Sequence, residues 1–405
     1  MSPATDLPPL DGLRIIEGTA FVAAPSGGMT LAQLGAEVIR FDQIGGGIDY
    51  KRWPLTDHGE SLYWAGLNKN KKSIAVNLRE DEAKEILSDL IADAGTFLTN
   101  FPAKGWMSWD SLSAKCDDLV MLAVTGNRDG STALDYTVNA AVGYPFVTGG
   151  VELDEPVNHV LPAWDVICGQ TAAIGLLAAD RKRLRTGEGS NMSLALSDVA
   201  FVAVAALGHV GEAQINGEER KRFGNDLYGA FGTTFTTSDG AMLYAVGISP
   251  KQWRSIIEAT ECADEIAAIE SDGGWNFRDE GDRFRARTEV AAAMQKWIGA
   301  NPLATVASRF DELGVCWGKY QSFTELVEDD PRVSTQSELF REVAQPDVGT
   351  YLSPGSPVAF WDKLPVEPAP APRLGQHTEQ LLGETLGMST AAIGDLVDRG
   401  IVAVG

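Results

Sequence analysis

The chain has 405 residues, with 33 Lys and Arg against 56 Asp and Glu, and a formal net charge of −23 at pH 7. This length allows two or three domains and a sizeable core. The excess of acid excludes nucleic-acid binding over most of the surface, because the phosphate backbone would be repelled. No apolar stretch has the pattern of a secretion signal or the length of a membrane-spanning helix. We therefore expect a cytoplasmic protein that binds neither nucleic acid nor membrane.

The cysteines and histidines predict neither a disulfide framework nor a metal centre. Cys116, Cys168, Cys262 and Cys316 are far apart and form no C-x-x-C pair. Such usage is typical of a reducing compartment. No His, Asp or Glu cluster has the spacing of metal ligands, so we expect no metal site.

Residues 10–126 alternate between predicted strands and helices. The predicted strands are 13–18, 37–42, 73–78, 96–101 and 118–126, and the predicted helices are 25–36 and 79–94. This order predicts a doubly wound parallel sheet, which binds ligands at the carboxyl ends of its strands. The glycine-rich phosphate loops of dinucleotide and nucleoside triphosphate sites are missing, so any nucleotide-like ligand is held in another way.

Basic residues gather in the same part of the chain. They are Arg40, Lys51, Arg52, Lys69, Lys71, Lys72 and Lys104. On so acidic a protein, an anionic ligand needs a local basic patch of this kind. A solvated charged face is the other interpretation of the same residues.

Segment 157–189 has one acidic residue, Asp165, before about twenty mostly apolar residues at helical spacing, and then a basic turn and a glycine. This pattern predicts a core helix with Asp165 at its N-terminal end, where backbone N–H groups and the positive helix pole favour the ionised carboxylate. The simplest interpretation is an N-cap. The apolar neighbours Trp164, Val166 and Ile167 favour instead a rigid, partly desolvated carboxylate that acts as a nucleophile.

The rest of the chain predicts a smaller domain and a returning segment. A strand at 191–196 and an apolar helix at 197–213 precede a charged stretch, where we place the first boundary. A β-hairpin at 229–247 and helices at 250–260, 286–299 and 304–314 follow. The Pro-rich stretch 364–372 predicts an extended strap over another domain or subunit. The resulting division is a large domain at 1–213, a small α/β domain at 214–330 and a segment at 331–405 that returns to the large domain.

Seven motifs, in order, point to one family: LDGLRIIEGTAFVAAPSGGMTLAQLGAEVIRFD, NKNKKSIAVNL, TNFPAKG, ALDYTVNAAVG, PAWDVICGQTAAIGLLAA, FGTTFTTSDG and PAPRLGQHTEQLL. With them the chain resembles the class III CoA-transferases, which include formyl-CoA transferase and the acyl-CoA racemases. The resemblance implies that Asp165 attacks an acyl-CoA thioester. It also implies a large doubly wound α/β domain built from both chain ends and an interlocked homodimer. No cofactor is expected, since CoA is carried as part of the substrate.

The same resemblance implies the residues that contact CoA. They are Arg40, Lys72, Asn100, Phe101 and Lys104. Pro102 and Asn139 depart from the usual residues of these motifs. Leu134 stands where the racemases have a catalytic histidine, so we do not expect racemisation.

Longer stretches, EGTAFVAAPSGGMTLAQLGAEVIRFDQIGGGIDYKRWP, VNHVLPAWD, NDLYGAFG and DEGDRFRAR, resemble family members that move CoA from one carboxyl group of mesaconate to the other. This implies mesaconyl-CoA esters as substrates and an Asp165 anhydride followed by an Asp165–CoA thioester. One alternative is an intermolecular CoA-transferase with a dicarboxylic acid acceptor. Another is a non-catalytic acyl-CoA-binding protein in which Asp165 is only a helix cap.

Three features of the predicted site stay open at this point. The oxyanion donors are the amides of either Gly27–Gly28 or Gly149–Gly150. Arg52 binds the free carboxylate, faces a CoA phosphate or faces solvent. The aromatic residues that either line the pocket or belong to the core are Phe21, Trp53, Trp164 and Tyr228.

Overall fold

The computed structural model describes residues 7–360 and 366–405. Its strands are β1 Arg14–Gly18, β2 Glu37–Gln43, β3 Lys72–Val76, β4 Thr96–Thr99, β5 Val120–Thr125, β6 Ser190–Ala195, β7 Phe231–Thr236, β8 Met242–Gly247, β9 Cys316–Lys319, β10 Phe340–Gln345, β11 Gly349–Pro354 and β12 Val402–Ala403. Its helices are α1 Ala23–Ala32, α2 Leu62–Leu67, α3 Asp81–Ala94, α4 Trp109–Ser113, α5 Asp135–Ala141, α6 Tyr144–Val147, α7 Ala163–Thr186, α8 Leu196–Ala206, α9 His209–Gly211, α10 Pro250–Ala259, α11 Ala263–Gly273, α12 Glu280–Arg285, α13 Arg287–Ala300, α14 Leu303–Leu313, α15 Phe323–Asp329, α16 Thr378–Glu384 and α17 Thr390–Asp398.

The largest sheet has the strand order β12-β3-β2-β1-β4-β5-β6 and is parallel except for β12, which runs antiparallel to β3. Its central strands carry buried apolar residues on both faces, as in sheets that are covered on both sides, and Ile15, Ile16, Val38 and Ile39 are at most 1% exposed. The predicted α/β class with a parallel sheet is therefore confirmed. The strand order reverses between β1 and β4, so the loops after these two strands diverge and leave a crevice at the sheet edge.

Helices α1 and α7 pack backbone against backbone, and two glycines allow this contact. A Cβ atom on Gly27 would lie 2.6 Å from the carbonyl oxygen of Gly169, and one on Gly169 would lie 2.4 Å from the carbonyl oxygen of Ala23. Any larger residue at either position would force the helices apart. The start of α1 and the start of α7 are thereby held in a fixed relation.

The C-terminal part of the chain returns to this sheet. Besides the β12–β3 pairing, the Nδ1 atom of His377 accepts a hydrogen bond from the Ser73 N–H at 3.1 Å. Residues 364 and 365 of the Pro-rich stretch lie outside the described residues. The part that is described runs along the same unit as the sheet, where the Asn70 side chain bonds the backbone of Glu367 and Ala369.

The chain divides into two units by its internal contacts. The first comprises the residues up to Val142, His159–Gly217 and Asp330–Gly405, and the second comprises Gly143–Asn158 and Glu218–Asp329. The second unit has its own antiparallel sheet, β7-β8-β9, and its own core. The predicted division at 214 and 331 places 143–158 in the large domain, whereas in the structure this segment belongs to the second unit.

Arg222 connects segment 143–158 to the rest of the second unit. Its guanidinium donates hydrogen bonds to four backbone carbonyls of this segment, those of Pro145, Phe146, Leu153 and Glu155. Because the contact is made by one side chain from a distant part of the sequence, no local pattern indicates it.

Two helix boundaries differ from the predictions. Helix α1 begins at Ala23, two residues before Pro25, because proline is tolerated anywhere in the first turn. The apolar helix predicted at 197–213 breaks at Gly208, which has a φ of 85°. Among the described residues no single helix is long and apolar enough to cross a membrane. Leu196–Ala206 and His209–Asn216 reach that length and apolarity only when taken together across a 69° bend.

Candidate active site

Asp165 is the third residue of α7 and does not cap it. The N-cap is Pro162, and no side chain accepts a capping hydrogen bond there. Within the described part of the chain, the Asp165 carboxylate has no hydrogen-bond or ion-pair partner, although the residue is half-buried. The N-cap interpretation is therefore wrong. Burying a carboxylate without a partner costs free energy, which points to a role in chemistry or binding.

The surroundings of Asp165 raise its pKa to about 7. Burial is the largest cause, the negative charge of Asp135 adds to it, and the positive charge of Arg52 opposes it. We predicted from the helix terminus that the ionised form is favoured. That direction is wrong, because desolvation and a second carboxylate outweigh the positive pole of α7.

Asp135 is bonded directly to the helix that carries Asp165. It is 2% exposed, and its Oδ2 accepts a hydrogen bond of 3.0 Å from the backbone N–H of Asp165. Its Oδ1 is buried without a partner among the described residues. Asp135 therefore fixes the first turn of α7 and at the same time keeps a negative charge beside Asp165.

A cavity of about 310 Å³ opens beside Asp165, at the switch point of the large sheet. Its walls come from the loops after β1, β4 and β5 and from the starts of α5 and α7. They include Phe21, Val22, Ala23, Arg52, Tyr63, Asn100, Thr125, Gly126, Leu134, Asp135 and Asp165. A carboxylate in a cavity of this kind, with its pKa shifted by its neighbours, is a candidate catalytic group.

The loop between β1 and α1 is held in an unusual conformation at this cavity. Phe21 has a φ of 68°, which a residue with a Cβ atom rarely adopts. Its N–H donates to both carboxylate oxygens of Asp49 at 3.1 Å. The Asn100 side chain accepts from the Ala20 N–H at 2.9 Å and donates to the Ala20 carbonyl at 2.7 Å. These contacts place the Phe21 ring against the cavity.

Arg40 lies beneath this loop and not in the cavity. Its side chain is 1% exposed, and its guanidinium bonds Asp42 at 3.0 and 3.1 Å and Asp49 at 3.1 Å. The prediction that Arg40 contacts CoA is therefore corrected, because no part of the guanidinium is available to a ligand. Arg40 is in the middle of β2, and its guanidinium supports Asp49 and, through Asp49, the backbone of Phe21.

The other residues predicted to contact CoA are placed as follows. Asn100 lines the cavity but uses its amide on Ala20. The half-buried Phe101 packs its ring against Phe41, with 6.3 Å between ring centroids. Lys72 pairs with Glu37 at the edge of the sheet, and Lys104 is exposed. For these four residues CoA contact stays a prediction.

The structure also locates the two glycine pairs considered for the oxyanion site and the four aromatic residues considered for the pocket wall. Gly27 and Gly28 lie inside α1, where backbone amides are used by the helix, so they do not form an oxyanion site. Gly149 and Gly150 belong to the second unit, as does Tyr228. Of the other aromatic residues, Phe21 lines the cavity, Trp53 is 80% exposed away from it, and Trp164 is buried and donates to Asn139 at 3.2 Å.

Sequence reasoning missed three residues of the site: Asp49, Tyr63 and Asp135. Asp135 stands next to Leu134 inside a motif already singled out, so its charge was visible. The only signal for Tyr63 was an aromatic residue near the basic patch, and Asp49 followed a glycine-rich turn. Their roles depend on contacts between distant segments.

The raised pKa of Asp165 predicts the pH dependence of the reaction. A nucleophilic carboxylate acts in its ionised form, so kcat/KM should rise with pH through about 7, the pKa of Asp165. In Asp135→Asn the like charge is removed, whereas the amide oxygen still accepts the Asp165 N–H. The rising limb should then move to lower pH. Initial rates across a pH series test this, and a limb that stays in place or moves upward would contradict it.

Comparisons with known proteins show the family and the fold of the chain. Residues 10–378 match the model of CoA-transferase family III. The chain is 51% identical to 2-methylfumaryl-CoA isomerase of Chloroflexus aurantiacus over 97% of this chain and 98% of that protein. It is 28% identical to succinyl-CoA:mesaconate CoA-transferase of Haloarcula marismortui over 93% and 96%. The crystal structure of a CAIB/BAIF family protein from Brucella suis has the same fold, with a TM-score of 0.76 and 21% identity over 94% of this chain and 100% of that one. The chain therefore belongs to CoA-transferase family III.

Proposed function

We propose that this chain is an isomerase that moves CoA within one molecule, from the C1 to the C4 carboxyl group of mesaconate. It would convert 2-methylfumaryl-CoA to 3-methylfumaryl-CoA. The observation that supports this most is the Asp165 carboxylate, which lines a small cavity and has no hydrogen-bond or ion-pair partner in the described part of the chain. The similarity to 2-methylfumaryl-CoA isomerase, extending over nearly the whole of both chains, supports the choice of substrate.

The proposed reaction begins with attack of the Asp165 carboxylate on the thioester carbonyl. CoA leaves as a thiolate, and Asp165 and the acyl group form a mixed anhydride. The thiolate then attacks the aspartyl carbonyl, which gives an Asp165–CoA thioester and free mesaconate. Mesaconate re-attacks through its C4 carboxylate, and the same two steps run in reverse. Each step exchanges one activated acyl group for another, so atoms and charge balance without a cofactor.

The tetrahedral intermediates need hydrogen-bond donors for their oxyanion. Val22 and Ala23, at the start of α1, line the cavity, and their backbone N–H groups have no partner among the described residues. The first N–H groups of a helix are free in this way and lie at its positive pole. We assign the oxyanion site to these amides, in place of the glycine pairs considered from the sequence.

The test of this function is an incubation with mesaconyl-C1-CoA alone. We expect the C4 ester to form without any added acid, because both carboxyl groups belong to the bound acyl chain. Labelled free mesaconate in a parallel sample should not enter the product. If conversion required an added acid, or if the label entered the product, the protein would be an intermolecular CoA-transferase. If no conversion occurred and no adduct formed on Asp165, it would be an acyl-CoA-binding protein.

We also propose that the chain forms an interlocked homodimer. Helices α7 and α8 present exposed apolar side chains, with Ile174 67%, Phe201 50% and Val202 66% exposed. Beside them is an apolar hollow of about 440 Å³ that Ile167 and Val199 help to line. Apolar patches of this extent are typical of surfaces covered by a partner. Light scattering on the purified protein measures the mass, and a single-chain mass at micromolar concentration would contradict the proposal.

A further inference from the structure

Arg52 lines the cavity of Asp165, and its guanidinium has no hydrogen-bond acceptor among residues 7–360 and 366–405. Its Cζ atom lies over the ring of Phe21 at 5.2 Å and over the ring of Tyr63 at 5.1 Å from the ring centroids. No carboxylate lies within ion-pair distance of it among the described residues, in contrast to Arg40, which pairs with Asp42 and Asp49. Aromatic rings hold the guanidinium through its π face, and its N–H groups stay free to bind an anion.

The hydroxyl group of Tyr63 is a second free donor at the same place. Tyr63 lines the cavity, and its hydroxyl is buried without a hydrogen-bond partner among the described residues. Burial also raises its pKa, so the hydroxyl keeps its proton at neutral pH and remains a donor. A buried donor without a partner is rare in folded proteins and indicates an acceptor supplied by a ligand.

Arg52 and Tyr63 line the same cavity as Asp165. The charge of Arg52 lowers the pKa of Asp165 against the effect of burial, so the two groups interact although they form no ion pair. A ligand acylated on Asp165 extends from the carboxylate into the same cavity. A negatively charged group at the far end of a short acyl chain would meet Arg52 and Tyr63 there, where it forms charge-assisted hydrogen bonds.

We propose that Arg52, with the Tyr63 hydroxyl, binds the free carboxylate of a dicarboxylic acyl-CoA. This inference rests on the proposed function and names the residues that select its substrate. In the isomerisation one site serves both carboxyl groups in turn, the C4 carboxylate while C1 is activated and the C1 carboxylate afterwards. It also retains mesaconate in the cavity while CoA is bound to Asp165, which an intramolecular transfer requires.

Binding to an inactive protein tests this without turnover. In Asp165→Asn, the affinities for mesaconyl-C1-CoA and for crotonyl-CoA, which has no second carboxylate, are measured by calorimetry. We expect a preference for mesaconyl-CoA of about 10- to 100-fold, the usual range for hydrogen bonds to a charged group. Adding Arg52→Gln should abolish the preference, and adding Tyr63→Phe, which keeps the ring under Arg52, should reduce it. Lys51→Gln is the matched control, since Lys51 is adjacent in sequence but does not line the cavity.

Two results would overturn the proposal. If Arg52→Gln weakened both thioesters equally, Arg52 would bind the CoA part of the ligand. If the preference were absent before the substitution, or survived it, the free carboxylate would be bound elsewhere. The preference is a ratio measured on one protein, so a general loss of structure does not mimic it. It is also independent of isomerisation. A protein that showed the Arg52-dependent preference but no conversion of mesaconyl-C1-CoA would retain this site and refute the proposed function.

Discussion

Replacing Asp165 by alanine or asparagine is expected to abolish CoA transfer, with kcat lowered by at least about 10⁴-fold, as for other catalytic nucleophiles. The Asp165 side chain has no hydrogen-bond or ion-pair partner within the described residues, so its loss removes no such contact from the fold. Affinity for CoA esters and the thermal unfolding midpoint should therefore change little. Asp180→Asn is the matched control, because Asp180 is on the same helix but pairs with Arg183, away from the cavity.

An oxygen-18 label distinguishes covalent catalysis by Asp165 from a purely electrostatic role of its negative charge. If mesaconyl-C1-CoA carries oxygen-18 in its free carboxylate, re-attack on the Asp165–CoA thioester places a labelled oxygen between the two acyl groups. When CoA attacks the mesaconyl carbonyl, that oxygen remains on Asp165. Mass spectrometry of the peptide that contains Asp165 should then detect the label after turnover. Conversion to the C4 ester with an unlabelled peptide would refute the anhydride, and so would substantial activity in Asp165→Ala.

The elements that were predicted well are those whose pattern is local. The apolar runs of β1 and β2, the acidic first turn of α3 and the glycine after α7 are each decided within a few residues. Burial of the large sheet on both faces selects consecutive apolar residues such as Ile15–Ile16 and Val38–Ile39, which is why these strands are visible in the sequence. Segment 143–158 is in the second unit, and its backbone is bonded by the distant Arg222. Local sequence patterns do not reveal such a contact.

The site was predicted only in part, for the same reason. The helix that carries Asp165 was evident from its apolar spacing and its basic last turn, whereas the role of Asp165 as a nucleophile stays a prediction. The direction of the shift in its pKa was not evident, because burial, the largest cause, and the charge of Asp135, thirty residues earlier, both act on Asp165 only through the fold. Arg52 was identified as one of several cations. The sequence does not show which of these cations is paired. In the fold Asp42 and Asp49 pair with Arg40, so their carboxylates are not the partners of Arg52.

The residues around the cavity support one another in a chain that begins at the buried Arg40 and ends at Arg52. Phe21 lies against the cavity in a conformation that costs about 1 kcal/mol for a residue with a side chain. Asp49 holds its N–H, and Arg40 holds Asp49. Arg52 then rests on the Phe21 ring and faces Asp165. The buried Arg40 thus supports the position of Arg52 through Asp49 and Phe21.

Replacing Arg40 by methionine is expected to lower the free energy of unfolding by about 3–5 kcal/mol, the usual cost of removing one partner from a buried ion pair. Asp42, Asp49 and Glu17 would be left buried, with Lys71 as the remaining cation bonded to this group. Lys72→Met is the matched control. It also removes a cation once predicted to contact CoA, but its pair with Glu37 is about one-third exposed, and such pairs contribute at most about 1 kcal/mol.

Urea unfolding of both variants measures the difference, and the KM for the CoA ester separates the two possible roles of Arg40. If Arg40 supports the loop that carries Phe21, its loss should lower the free energy of unfolding. It should change catalysis only through the positions of Phe21 and Arg52. A CoA contact would raise KM and leave the free energy of unfolding unchanged. If Arg40→Met unfolded at the same urea concentration as the parent protein while its KM rose, the original prediction of a CoA contact would be restored. The buried position of Arg40, together with its bonds to two carboxylates, predicts the opposite result.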